Sequence, residues 1–152
     1  MSTRRIICVC TGNICRSPMA AALLRIKLQQ RAVVISAGTL GLVGRPAAQF
    51  AQMAVEPYGA SLDDHRSQGV SLPLMRMADH ILVMSPRHSR HLLQLAPDLQ
   101  SRLVEIWRFD PEQQVETGIP DPVGQGREIF EHCCAIIDRC IDAWLATLNL
   151  PH

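Results

Sequence analysis

Aromatic residues are scarce in this sequence: two Trp, one Tyr and three Phe make up 4% of 152 residues. So few rings exclude a stacking platform for single-stranded nucleic acid. Excess charge is lacking too, because 15 basic and 14 acidic side chains leave a formal net charge of +1. That balance gives no electrostatic footprint for nucleic acid and no polybasic patch for a membrane surface. No apolar run approaches the ~18 residues needed to span a bilayer. The run Ile6–Cys10 behind Arg4-Arg5 is too short for a secretory signal, and Asn13 and Arg16 break its continuation. The protein is therefore expected in the cytoplasm. The six cysteines lack zinc-site spacing and, in a reducing compartment, are expected to be thiols. Repeats, low-complexity tracts and linkers are also missing, so residues 1–152 are expected to form one domain.

What is present is an alternation of short β-branched runs with longer helical patterns. Arg5–Cys10 reads as a buried strand, apolar without alternation. Ser17-Pro18 signals a helix start, Ser as N-cap and Pro at the first position. Met19, Leu23 and Ile26 follow at helical spacing to about Gln30. Further strands are expected at 32–36, 80–84 and 102–107. Helices are expected at about 46–58, stopped by Gly59, and from Ser85-Pro86 through Leu95. Residues 109–126 read as a loop before a last helix over about 127–148. Its apolar stripe is Ile129, Cys133, Ile136, Ile137, Cys140, Trp144 and Leu148. This order predicts an α/β fold with a parallel sheet, helices on both faces and ligands beyond the carboxyl ends of the strands. Cys10 falls at that edge.

The loop after the first strand is Cys10-Thr11-Gly12-Asn13-Ile14-Cys15-Arg16-Ser17. Gly12, and less readily Asn13, tolerates positive φ, so successive backbone N–H groups can turn inward as an anion nest. The next helix aims its positive end at the same point. Arg16 adds a planar fork for two phosphoryl oxygens. With no Gly-Lys-Ser/Thr following, this is not a Walker loop. In such a cradle the Cys10 thiol is expected to ionise and attack phosphorus, forming a phosphocysteine. The Ser17 hydroxyl is placed to donate to the sulfur. A phenol (pKa ~10) departs poorly as the anion, so a carboxylic acid must protonate it. Asp121 leads, because the prolines of Ile119-Pro120-Asp121-Pro122 restrict its backbone; Asp110, before Pro111, competes.

Five segments closely resemble the low-molecular-weight protein-tyrosine phosphatase family, in the family's order and over nearly the whole chain. They are Val9–Pro18, Ser36-Ala37-Gly38, Asp64-His65-Arg66, Asp79–Met84 and Asp121-Pro122. The resemblance implies a four-stranded parallel sheet flanked by helices, with a phosphate-binding loop after the first strand and neither metal nor cofactor. It makes Cys10 the nucleophile, Arg16 the phosphate clamp and Asp121, rather than Asp110, the general acid. Thr11, Gly12, Asn13, Ile14, Cys15 and Ser17 complete the loop, with Asn13 and Ser17 stabilising the thiolate. Within the family, the loop, Ser-Ala-Gly and the stretch Met84–Leu92 are similar to a bacterial branch associated with capsule and exopolysaccharide export. That likeness implies a membrane tyrosine autokinase as partner, its phosphotyrosines being the substrate. One departure is that Val123 and Gly124 stand where many relatives carry rim aromatics after Asp-Pro, and Tyr58 is the only tyrosine. Leu40 is the candidate for an aliphatic wall instead.

Two other functions fit parts of the pattern. An arsenate reductase on the same fold would reuse Cys10 and Arg16, but it needs two relay cysteines and Met84–Leu95 contains none. A non-catalytic phosphotyrosine-binding module would keep Arg16 and the loop but could discard Cys10 or Asp121. Cys15 is open between a disulfide partner that shields Cys10 from over-oxidation and a space-filler. Cys8 is expected in the core, facing away from Cys10's side of the strand. Cys133, Cys134, Cys140, Trp107 and Trp144 are expected to pack in the core. His88 and His91 share a helix face with Arg87 and Arg90 and are expected on a solvated surface, contact with an acidic partner being the lesser reading. Asp64-His65-Arg66 either braces the loop or is an exposed turn.

Overall fold

The computed structural model describes residues 3–148. Its first strand, β1 (Arg4–Cys10), lies inside the sheet, between β2 (Ala32–Gly38) and β3 (His80–Val83). β4 (Leu103–Glu105) closes the far edge, giving the order β2-β1-β3-β4 with all pairs parallel. An interior strand covered on both faces has no solvent side, which is why Ile6 to Cys10 are all buried and carry no alternation. Two residues apart on that strand, Cys8 and Cys10 share a face, contrary to the expectation from the sequence. Cys8 is core all the same.

Among the described residues five α-helices are interspersed with these strands: α1 (Arg16–Leu28), α2 (Gln49–Val55), α3 (Leu72–Arg76), α4 (Pro86–Leu95) and α5 (Arg127–Leu145). β1–α1–β2 steps one way across the sheet and β3–α4–β4 the other, so right-handed crossovers place α1 and α4 on opposite faces. α5 packs on α1 and α2. The buried stripe of α5 is Phe130, Cys133, Cys134, Ile136, Ile137, Cys140, Ile141 and Trp144. Three consecutive alanines, Ala20 to Ala22, lie buried in α1, where side chains this small admit close approach from more than one side.

Several element details depart from the sequence pattern for local reasons. α1 begins at Arg16, and Ser17 is not its cap because its hydroxyl is drawn to Cys10. Ile26 and Ile129 face out at 46% and 45% exposure, while Leu28 and Phe130 take the core positions. The helix expected from Pro46 starts at Gln49, because Ala48 has an extended ψ of 141° while its N–H donates to the Ile14 carbonyl. It passes into a 3₁₀ turn over Glu56–Tyr58 and stops at Gly59, whose φ of 80° suits glycine. β4 ends at Glu105 because Ile106–Phe109 coil into a 3₁₀ turn that buries Trp107. α5 ends at Leu145, short of Leu148. α3 went unforeseen: five residues, capped by the Ser71 hydroxyl accepting from the Leu74 N–H, are too short to show a period. Among the described residues no helix is long and apolar enough to cross a membrane.

Candidate active site

β1 delivers Cys10 to the carboxyl edge of the sheet, opposite Gly38 at the end of β2. Between them the chain has no room for a side chain, since a Cβ on Gly38 would lie 2.6 Å from the Thr11 carbonyl oxygen and 3.0 Å from Asn13. The Thr39 and Leu40 N–H groups donate to the Cys10 and Thr11 carbonyls, pinning the loop's outer edge to the end of β2. The left-handed residue of the loop is Asn13 (φ 58°); Gly12, the residue expected there, is not at positive φ.

Asn13 has a second reason to be asparagine. It is fully buried, and its amide donates to the Ser17 hydroxyl (2.8 Å) and the Ser36 hydroxyl (2.9 Å). Its side-chain oxygen accepts from the Gln68 N–H (3.0 Å), and its backbone carbonyl lies 2.7 Å from His65 Nε2. Ser36 and His65 thereby find a purpose as braces of the loop. Gln68 joins them, its amide also donating to the Ser36 carbonyl; nothing in the sequence marked it.

The Cys10 sulfur lies 2.9 Å from Ser17 Oγ and 3.4 Å from the Ser17 N–H, at the start of α1. Because Ser17 Oγ already accepts from Asn13, its own proton is free to point at the sulfur, the arrangement a thiolate requires. Cys15 is also buried in the loop as a free thiol, so no Cys10–Cys15 bond is formed. Burial, then the negative charge of Cys10 and of Asp121, pushes Cys15 up to about 12. Cys15 therefore stays protonated and is a poor nucleophile.

Arg16 is 5% exposed, and its guanidinium faces the loop carrying the candidate acid. Nη1 donates to the Ile119 carbonyl (2.9 Å), and Nη2 stands 3.5 Å from both Thr11 Oγ1 and Asp121 Oδ2. That loop is anchored where it crosses the end of β3. The Ile119 N–H donates to the Met84 carbonyl at 2.7 Å, and Gly118 (φ 120°) passes so close that a Cβ would lie 2.9 Å from Ser85. The Cys133 thiol of α5, pushed up to about 12 by burial, remains a donor and reaches the Pro120 carbonyl at 3.5 Å. Asp121 itself is half-exposed, its Oδ1 turned back to accept from the Val123 N–H.

Asp110 has a different setting. Its buried carboxylate accepts from Arg139 Nε (2.7 Å) and Nη2 (3.2 Å) and from the Glu112 and Gln114 N–H groups. Arg139 foremost, aided by those two amides against the opposing effect of burial, holds it down to about 2. It lines neither cavity at the loop.

The first of these cavities, about 210 Å³, opens over Cys10 and is walled by Ile14, Leu40, Leu42 and Val123, with Asp121 the sole carboxylate. Leu40 is 64% exposed and Val123 54%, apolar surface left at the rim of a polar loop. Leu42 escaped the sequence reading, which had only the position after Ser-Ala-Gly to go on. The second cavity, about 400 Å³, runs from Thr11, Arg16 and Asp121 to the start of α4. One expectation is reversed there. His88 is fully buried, with Nε2 3.0 Å from Thr11 Oγ1 and Nδ1 3.2 Å from Ser85 Oγ. Burial, then the positive charges of Arg16, Arg87 and His91, pushes it down to about 3, so it is neutral. Helix phase alone could not tell that α4 turns His88 inward while Arg87 and Arg90 stay out.

A model of the low molecular weight phosphotyrosine protein phosphatase family matches residues 5–151. The chain is 38% identical over 146 residues to the probable low molecular weight protein-tyrosine-phosphatase EpsP of Ralstonia solanacearum, covering 96% of this chain and 97% of that one. Among solved structures, Vibrio vulnificus Wzb in complex with benzylphosphonate is similar with a TM-score of 0.86 and 32% identity, over 97% of this chain and 100% of that one. The YwlE arginine phosphatase from Geobacillus stearothermophilus is similar with a TM-score of 0.84 and 31% identity, over 94% and 91%. The match to the family model over nearly the whole chain and the agreement in fold lead to one conclusion: this protein is an enzyme of the low molecular weight protein-tyrosine phosphatase family.

Proposed function

We propose that this single-domain enzyme hydrolyses phosphotyrosine through a phosphocysteine on Cys10, with Arg16 as phosphate clamp and Asp121 as general acid. The observation that carries the reading is the Cys10 sulfur 2.9 Å from a Ser17 hydroxyl that already accepts from the Asn13 amide, which leaves its proton for the sulfur. The thiolate attacks phosphorus, forming the S–P bond as the P–O bond to the ring breaks. Asp121 gives its proton to the departing phenolate. Water then attacks the phosphocysteine, Asp121 accepts a proton from it, and the S–P bond opens to release inorganic phosphate. Arg16 and the backbone N–H groups of Thr11 to Ser17 hold the phosphoryl oxygens throughout. Neither cofactor nor metal has a part in these steps.

The substrate reading draws on the wall of the cavity over Cys10. Ile14, Leu40, Leu42 and Val123 suit the faces of a phenyl ring. A phosphoarginine, the substrate class named for the YwlE relative, would present a guanidinium, which calls for carboxylates, and Asp121 is the sole one there. The similarity of Wzb bound to benzylphosphonate supports an aryl-like ligand in the same place. Arsenate reduction is disfavoured, because Met84–Leu95 has no cysteine and the α5 cysteines are buried thiols. The likeness to the branch associated with exopolysaccharide export makes a cytoplasmic phosphotyrosine segment of a membrane tyrosine autokinase the proposed physiological substrate.

The test is hydrolysis of an aryl phosphate, a phosphotyrosine peptide and a phosphoarginine peptide by wild type, Cys10→Ser and Asp121→Ala. Cys10→Ser is expected to abolish turnover, and Asp121→Ala to cost ~10²–10⁴-fold with a phenolic leaving group and less with a more acidic one. Full activity in Cys10→Ser would overturn the covalent route. Preference for phosphoarginine would overturn the substrate, and thioredoxin-coupled arsenate turnover would restore the reductase. Capture of a kinase from cell extract by Cys10→Ser would identify the partner.

A further inference from the structure

The second cavity leads away from Arg16 along the outer face of α4, where Arg87 and Arg90 join its lining together with Ser85 and Thr117. Residues three apart on a helix are neighbours on one face, so Arg87 and Arg90 form a two-pronged basic edge. Asp121 is the one carboxylate in this lining, against three arginines. Most arginines of the chain are engaged: Arg25 and Arg102 on carbonyls, Arg76, Arg108, Arg127 and Arg139 on carboxylates. Among the described residues the exposed side chains of Arg87 and Arg90, like those of Arg5 and Arg45, have no hydrogen-bond or ion-pair partner, but only Arg87 and Arg90 border this cavity. Asp121 offsets the charge of Arg16 at 3.5 Å, which leaves Arg87 and Arg90 as like charges that an entering anion would relieve. Behind this lining His88 is buried against Thr11, and burial first, then the charges of Arg16, Arg87 and His91, keeps it neutral.

We propose that this cavity is a second anion subsite, which takes a carboxylate or a second phosphate carried by the substrate polypeptide within about three residues of its phosphotyrosine. The proposal rests on the phosphatase reading above and deepens it: the first cavity receives the ring and its phosphate, and the Arg87–Arg90 edge selects the neighbouring sequence. The geometry is continuous, because Thr11, Arg16 and Asp121 line both cavities. An extended chain advances about 3.3 Å per residue, so an anionic side chain two or three positions along clears the catalytic loop while staying within this cavity's neighbourhood. Binding here acts on KM, because the contact is equally available in the ground state and the transition state.

The experiment compares three phosphotyrosine peptides of one sequence, in which positions two and three on either side of the phosphotyrosine carry Gln, Glu or one further phosphotyrosine. Turnover of a small aryl phosphate by wild type is measured beside them, so that failure of the catalytic reading shows separately. Wild type is expected to favour the Glu peptides over Gln by about 3–10-fold in kcat/KM, as exposed ion pairs allow, and the doubly phosphorylated peptides by about 10–50-fold. The gain should reside in KM and shrink between 50 and 300 mM salt. The double variant Arg87→Gln/Arg90→Gln is expected to bring these ratios close to one. Arg127→Gln, an exposed change on α5, should keep them. Equal turnover of all three peptides by wild type, or an undiminished preference in the double variant, overturns the subsite. A preference for the doubly phosphorylated peptide alone assigns the subsite to phosphate, and an equal preference for Glu assigns it to any anion.

Discussion

Replacing Asp110 by Asn separates the two carboxylates that compete for the role of acid. Asp110 accepts four hydrogen bonds, two from Arg139 and two from backbone amides, and its side chain is 1% exposed. Its carboxyl is held down to about 2, against an ordinary value of 3.8, chiefly by Arg139. A carboxylate with a depressed value in the fold contributes stability that is present above pH 3.8 and lost as pH falls through about 2. Between those limits the linkage is on the order of 2–3 kcal/mol at neutral pH. Asn keeps the shape and one acceptor, and Arg139 retains Glu112 at 2.8 Å and Gln114 at 3.0 Å, so the loss should stay below the ~3–5 kcal/mol of a wholly broken buried pair. We expect Asp110→Asn to lower stability by about 2–3 kcal/mol, a fall in Tm of about 4–10 °C for a chain of this size. Urea unfolding read by circular dichroism should show a lower midpoint at unchanged slope. kcat with an aryl phosphate, measured where the variant is folded, should stay within about threefold of wild type. Asp121→Asn should do the reverse, with stability within about 0.5 kcal/mol for a half-exposed side chain and kcat down ~10²–10⁴-fold. A hundredfold loss of kcat in Asp110→Asn with an unmoved urea midpoint would refute the assignment.

Gly38→Ala should lower kcat/KM by at least about tenfold with the fold retained, because a Cβ 2.6 Å from the Thr11 carbonyl must push the phosphate loop outward; wild-type kinetics would show that the loop yields. Asn13→Ala removes three buried hydrogen bonds from a left-handed residue and should cost about 2–3 kcal/mol in urea unfolding and about 10–100-fold in kcat. His88, pushed down to about 3 in the fold, stays neutral while the unfolded chain takes up a proton below about 6.5, so its contribution is full above pH 6.5 and declines as pH falls toward 3. Between pH 7.5 and 5.5 that decline is on the order of 1 kcal/mol, and His88→Asn should remove about that much of the slope in urea-unfolding free energy. His65 and His80, lowered in the same direction, should leave part of the slope in place.

The convergence of the loop's side chains was legible in the sequence because it depends on residue types at near neighbours in the chain. A strand of uninterrupted apolar residues ending in Cys10, then Asn13, Arg16 and Ser17 within one turn of a helix, can meet only around one point. The parallel sheet was legible for the same reason, since an interior strand loses its alternation and helices must cross between strands. Helix phase and helix ends were not, because they are settled by what packs against them: Ile26 and Ile129 face out although the spacing admitted them to the core. Distance along the chain hid the rest. Asp110 and Asp121 differ little as words in a sequence, yet Arg139, 29 residues after Asp110, takes one into the core. Gly118, pressed against Ser85, carries the other to Arg16. His88 reads as a surface histidine among arginines until β3 and the loop of Thr11 close over it. Residue type therefore determined which reactions the loop could support. Which carboxylate faces it, which apolar side chains wall the cavity over Cys10 and which arginines of the described residues border the second cavity unpaired were decided by contacts between segments far apart in the chain, and those exist only once the sheet has brought their ends to one edge.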